Sequence, residues 1–255
     1  MLREYIYLDR NRVEDFLSQL EGGVSDSIRS TESETGASIN AGLNIGVASL
    51  GSRLTAPNLS QEDLRRTTDV ALFERLYNRL TGDAVARIND IDDVDFSHLC
   101  QGDLLELECD VVVSGIAKLM RTMSEMKAIA PLMGDSIEGV DEVKAFLGED
   151  VPIRFVLDGT VAAYSALSSD GLRGDLSDVE GECSALVRVR KTVKAGKRVP
   201  LRRFAGIKLS VQQIEGMLAN MDLNEAPPEM DLSASAADFI ADGPCVIVTT
   251  VAIYR

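Results

Sequence analysis

A single histidine, no tryptophan and an aromatic content of 5% set the first limits on this chain. One histidine, His98 in "FSHLC", leaves little room for a histidine-based catalytic dyad, and so few aromatics argue against a platform that stacks single-stranded bases. No run reaches the ~18 to 20 continuous apolar residues of a spanning helix. The start, "MLREYIYLDR", has neither the basic nor the apolar region of a signal peptide, which gives the expectation of a cytoplasmic protein. The four cysteines, Cys100, Cys109, Cys183 and Cys245, show no CxxC spacing, and three of them fall in or beside apolar, strand-like runs. They read as reduced, mostly buried residues rather than a metal or redox centre.

Classical nucleotide motifs are also missing. "KAGKRVP" lacks the spacing of a phosphate-binding GxxxxGK[ST] loop, and no GxGxxG opens a helix after a strand. "GDSIEG" at 134–139 has the look of a hydrolase serine block, but His98 lies upstream of Ser136 with no evident acidic partner, so a plain loop is the better reading. "NDIDDVD" gathers Asp90, Asp92, Asp93 and Asp95. A calcium loop starting at Asp90 would need glycine and a carboxylate where Asp95 and Gln101 stand, so this reads as a solvated acidic loop.

What is present is ordinary core material with an extraordinary charge map. The chain has 255 residues, of which 45% are apolar, enough to fold without staples. Its net charge is −15, which disfavours long duplex nucleic acid as a partner. Yet "RVRKTVKAGKRVPLRRFAGIK", residues 188–208, carries nine of the 26 basic residues and no acidic one. That leaves 17 basic against 41 acidic residues elsewhere, so the molecule is bipolar.

Hydrophobic periodicity predicts an α+β fold. A short strand at "REYIYLD" precedes a helix capped by Asp9, with Val13, Phe16, Leu17 and Leu20 on its apolar stripe. Residues 24–66, rich in Gly, Ser, Thr and Glu, read as a flexible insertion. Inside it, "GASINAGLNIGVASLG" at 36–51 alternates apolar and small polar residues, as a membrane β-strand does, although aromatic girdle residues are absent. A helix resumes with Val70, Phe73, Leu76, Tyr77 and Leu80. "GDLLELECDVVVS" alternates as a half-buried strand, with Leu105, Leu107, Cys109, Val111 and Val113 inward and Glu106, Glu108 and Asp110 on an acidic outer face. The next helix turns Ile116, Leu119, Met120, Met123 and Met126 inward, and a short helix is expected at "DEVKAFLG".

The second half reads mainly as β: a mostly antiparallel sheet or small barrel with packed helices. Asp158-Gly159 marks a hairpin, Ser210 and Gln213 form a capping box, and "PCVIVTTVAIY" is continuous enough for a central strand. We expect one compact unit over 1–255 with its main core at 100–255. The elements "YIYLDRNRVEDFLSQLEGG", "GDLLELE", "ALVRVRKTVKAGKRVPL" and "GPCVIVTTVAIYR", in that order, resemble an uncharacterised bacterial family known only as a domain of unknown function. The resemblance implies a bacterial, intracellular protein and transfers no active site.

The basic segment is the strongest binding candidate. Arg188 and Arg190 share a strand face, and Lys194, Lys197, Arg198, Arg202 and Arg203 follow on its turn and partner strand, forming a basic β-hairpin. Guanidinium forks suit phosphate oxygens, so a small phosphorylated ligand or an acidic protein surface is the expected partner. The plain alternative is a solubilising hairpin balanced by acidic neighbours. Glu106 and Glu108 share a strand face, where they would bind magnesium, face solvent, or face the basic strand. No cofactor is implied. The sequence thus supports a noncatalytic binding protein, a sensor or accessory component with an anion-recognising hairpin. Two alternatives stay open: a membrane-active or oligomerising effector using 36–51, and an enzyme with an unrecognised site. The acidic remainder also allows head-to-tail homo-oligomers.

Overall fold

The computed structural model describes residues 3–21, 61–80, 84–129, 148, 150–201, 209–220 and 236–255. The 36–51 strand, the Ser136 loop and the short helix near "DEVKAFLG" lie outside the described residues. The chain divides into two compact units, residues 10–81 and residues 1–9 with 82–255.

The smaller unit is a helix pair, Arg10–Glu21 (α1) and Gln61–Arg79 (α2). Val13 and Leu17 of α1 are buried, as are Leu72, Phe73 and Leu76 of α2. Leu20, expected on the apolar stripe, is instead 51% exposed: the buried side of α1 narrows to the Val13–Leu17 spacing. Ion pairs tie both ends, Arg10 to Asp69 at 3.1 Å and Glu21 to Arg75 and Arg79.

The larger unit is built on strands Tyr5–Leu8 (β1), Val85–Ile88 (β2), Leu104–Val113 (β3), Val151–Leu157 (β4), Thr160–Leu167 (β5), Gly181–Val193 (β6), Arg198–Pro200 (β7), Ile240–Asp242 (β8) and Cys245–Tyr254 (β9). β3, β4, β5, β9 and β6 pair in that order, and β6 pairs again with β3, so the five strands close into a barrel. β1 adds antiparallel to β9 and β2 adds parallel to β3. Around the barrel only β5–β9 is parallel, giving the mostly antiparallel α+β architecture expected.

Period-two patterning fills the interior. Leu105, Leu107, Cys109, Val111 and Val113 of β3 meet Ile153, Phe155 and Leu157 of β4 and Val187 and Val189 of β6 in one core. Each such side chain, fully buried, contributes roughly 1.5–3 kcal/mol. The β4–β5 turn has Asp158 at φ 49° and Gly159 at φ 75°, with Leu157 opposite Thr160. Two successive positive φ values make this a two-residue turn of the hairpin type that matches strand twist. β9 pairs on its two edges with β1, β5 and β6, the central position its unbroken apolar run requires.

Two helices, Gly115–Ile129 (α3) and Val211–Asn220 (α4), complete the unit. Ser210 and Gln213 form the expected capping box at α4: the Ser210 amide donates to Gln213 Oε1 at 2.9 Å and the Gln213 amide to Ser210 Oγ at 3.3 Å. Ile116 and Ile214 pack with Phe239 and Ile240 in a second small core. Met126 is not inward as expected but 52% exposed, about two turns beyond Leu119, which still packs on that core.

A short 3₁₀ turn, Leu176–Val179, is capped reciprocally by Asp175 and Asp178, and Arg121 of α3 forks onto Asp175. The Arg121 guanidinium, aided by the Ser177 amide and hydroxyl, holds the Asp175 carboxyl well below the usual carboxylate range. A depressed carboxyl stabilises the fold above its unfolded value of about 3.9 and loses that contribution as pH falls through the folded value. Asp175→Asn should therefore flatten the fall of stability below about pH 4 in denaturant titrations; an unchanged acid limb would contradict this assignment. Packing gives a second expectation. A Cβ at Gly243 would lie 2.2 Å from the Lys194 carbonyl oxygen, whereas one at Gly216 in α4 meets nothing within 4 Å. Gly243→Ala should cost about 1–3 kcal/mol in thermal or urea unfolding, and Gly216→Ala should gain about 0.5–1 kcal/mol.

Candidate functional site

Closure of the barrel leaves β6 with no free edge. One edge pairs with β3 from Gly181 to Arg188, the other with β9 from Ser184 to Val193. Beyond Arg188 the first edge remains engaged, since the Val189 amide donates to Asp103 O at 2.8 Å and Thr192 Oγ1 to Leu99 O at 3.1 Å. The basic β-hairpin read from the sequence is corrected accordingly. The chain does turn, with the Lys197 amide donating to Lys194 O at 3.0 Å, but β7 pairs with β8 in a separate two-stranded sheet.

This arrangement separates the basic residues. Arg188 is exposed on β6, opposite Leu104 of β3 and Thr249 of β9. Lys194 and Lys197 are exposed at the turn. Arg198 is engaged by acidic neighbours, donating from Nε to Asp242 Oδ1 at 2.7 Å and from Nη1 to Glu215. The Glu215 and Asp242 carboxylates raise its already high pKa. Arg202 and Arg203 lie outside the described residues.

Arg190 is also exposed, but it sits at a break in the ladder. The β6–β9 register passes from Val189↔Val248 to Lys191↔Ile247, so two residues of β6 advance against one of β9 and Arg190 occupies a bulge. It lines a cavity of about 320 Å³ with Arg154 of β4, Tyr164 and Ser165 of β5, Asp150 and Asp238. Ser114, directly before α3, is also in the lining and accepts at Oγ from the Ala117 amide at 3.3 Å. Arg154 lies opposite Tyr164 in the β4–β5 ladder, and Tyr164 opposite Ile247 in β9. One row of the sheet therefore leads across the cavity wall from Arg154 to the Arg190 bulge.

Two features give this cavity chemistry. Arg154 Nε is buried and has no hydrogen-bond partner among the described residues. A buried guanidinium nitrogen left without an acceptor is costly, and a native fold that keeps one calls for an oxyanion, water or other acceptor. Burial pushes the Tyr164 hydroxyl up, with the Cys245 side chain adding to the effect, so the phenol stays protonated and can donate. Ser165 is already engaged, donating to Val248 O and accepting from Thr250 Oγ1 at 2.8 Å. Arg154 was legible only as the one charge in the apolar run "VPIRFVL"; nothing local connects it with Arg190.

A family model matches residues 2–254. The chain belongs to the family described as Domain of unknown function (DUF6414). The match spans the small helical unit, the barrel strands and both walls of the cavity. No curated protein and no solved structure matches the chain.

The remaining candidates take local roles. His98 is exposed, with Nδ1 2.9 Å from Asp95 Oδ2. Asp90 accepts from the Asp92 amide at 2.9 Å, and Asp95 from the Ser97 amide and hydroxyl, so both carboxylates cap turns of their own loop. The Ser97 hydroxyl and amide hold the Asp95 carboxyl below its ordinary value. Among the described residues no group of three or more His, Cys, Asp or Glu side chains is arranged to hold a metal ion, and no helix is long and apolar enough to cross a membrane.

Glu106 departs from the acidic outer face drawn in the sequence. Glu108 and Asp110 are exposed, but Glu106 retains only 9% of its surface. Leu186 stands opposite it in β6 and is fully buried, so this part of the outer face is covered. The carboxylate survives there because Tyr254 Oη donates to Oε1 at 2.6 Å and Arg87 Nε to Oε2 at 2.9 Å. It ties β2, β3 and β9 together rather than pointing into solvent. Glu106→Ala should cost about 3 kcal/mol, because Tyr254 keeps its buried donor, whereas the Arg87→Ala loss should stay within about 1 kcal/mol; urea unfolding distinguishes the two.

Proposed function

We propose that this protein is a noncatalytic, cytoplasmic binding protein, a sensor or accessory component, which takes a small phosphorylated ligand into the cavity between Arg154 and Arg190. The observation that carries the reading is the buried Arg154 Nε, without a hydrogen-bond partner among the described residues, in the wall of a cavity that Arg190 also lines. A volume of about 320 Å³ suits a small ligand rather than a protein segment. Two guanidinium groups can share the oxygens of one phosphate, and the neutral Tyr164 phenol supplies a further donor. Asp150 and Asp238 on the same wall favour a ligand that also offers hydroxyl or amino donors, since each carboxylate accepts several hydrogen bonds. The exposed cations at Arg188, Lys194 and Lys197 would draw anions towards this side of the barrel, an effect that added salt weakens.

Isothermal titration of the full chain with inorganic phosphate, pyrophosphate and nucleoside mono- and diphosphates tests the assignment. At least one phosphorylated probe should bind, and Arg154→Gln or Arg190→Gln should each weaken it roughly 10- to 100-fold, the loss expected for one charge-assisted bond. Arg198→Gln should leave affinity within about twofold, because its fork is held by Glu215 and Asp242. Equal affinity across all three variants would sink the site.

A further inference from the structure

A second pair of residues comes together where no sequence spacing announces it. Cys109 of β3 and Cys183 of β6 stand directly opposite each other in the antiparallel ladder. Directly opposed residues in such a pair have Cα atoms about 4.5 or 5.5 Å apart, depending on whether they exchange ladder hydrogen bonds. Both spacings fall inside the roughly 4.4–6.8 Å that a disulfide spans, so no strand has to move for the two sulfurs to join. The Cys109 thiol donates to Leu107 O at 4.0 Å, a long contact that leaves it available to its cross-strand neighbour. Each residue keeps 8% of its surface, and both line a cleft of about 230 Å³ whose other walls include Glu108, Asp110, Asp158 and Glu182.

We propose that Cys109 and Cys183 form a two-electron redox pair, closing to a cross-strand disulfide when a small, neutral hydroperoxide enters this cleft. In the first step one thiol gives up its proton and its sulfur attacks a peroxide oxygen. The O–O bond breaks, one water leaves, and a sulfenic acid remains. The second thiol then attacks that sulfur, the S–O bond breaks, and a second water leaves with the proton of the attacking thiol. Hydrogen peroxide is thus reduced to two waters while two thiols become one disulfide.

The acidic walls decide which oxidant is admitted. Four carboxylates around the cleft repel an anionic disulfide such as oxidised glutathione but not an uncharged peroxide. The Cys183 thiol opposite, burial and the neighbouring Asp110 charge also push the Cys109 thiol up, which keeps the thiolate scarce. The other cysteines are placed for neither role: Cys100 is exposed, and Cys245 is buried with its thiol pushed up to about 11, first by burial and then by Asp242.

The test treats the full chain, and its Cys100→Ser variant, with hydrogen peroxide or with an equal concentration of oxidised glutathione. Thiols are then counted after denaturation and the linked peptides mapped. Peroxide should lower the count by two in both proteins, with a Cys109–Cys183 peptide that dithiothreitol releases, and should act at least about tenfold faster than glutathione. The proposal is overturned if Cys100 is oxidised while Cys109 and Cys183 remain thiols, or if glutathione disulfide reacts as fast as peroxide.

Discussion

Closure of the barrel through β6 is the constraint on which the rest of the larger unit depends. A strand of 13 residues is paired with β3 along most of one edge and with β9 along most of the other. The chain emerging from it must find another partner, so β7 joins β8 and carries Arg198 to Asp242 and Glu215. Along β9 the ladder slips at Leu186/Val187 and again at Val189/Lys191. The second slip places Arg190 in a bulge, where it lines the same cavity as Arg154 of β4.

The same closure explains two burials that composition alone leaves obscure. On the outside of the barrel, β3 lies beside β6 with Glu106 opposite Leu186, and Glu106 is kept ionisable-group company by Tyr254 and Arg87 rather than by water. On the β3–β6 ladder three residues further along each strand, the register sets Cys109 against Cys183. Both arrangements are cross-strand pairs, the unit by which sheets acquire specific contacts. Neither requires residues close in sequence.

Much of the architecture was legible because period-two patterning is local. β3, β6 and β9 could be read from alternation or continuity of apolar residues, the Asp158-Gly159 turn from its need for positive φ, and the Ser210–Gln213 cap from its spacing. Register was not legible, since it is set by pairing between distant segments. That is why Arg190 could be named as a basic strand residue while Arg154, the cation it shares a cavity with, could not. It is also why the basic segment looked like one hairpin: nothing in residues 188–208 shows that both edges of the strand are already occupied. Membership of the DUF6414 family extends over nearly the whole chain and adds no chemistry of its own.

We propose that the cavity between Arg154 and Arg190 holds a phosphorylated small molecule, which native mass spectrometry of the full chain purified from its own host can detect. A bound species that releases phosphate on fragmentation and is lost from the Arg154→Gln protein is expected. A bound species without phosphorus, or one retained equally by Arg154→Gln, would contradict it.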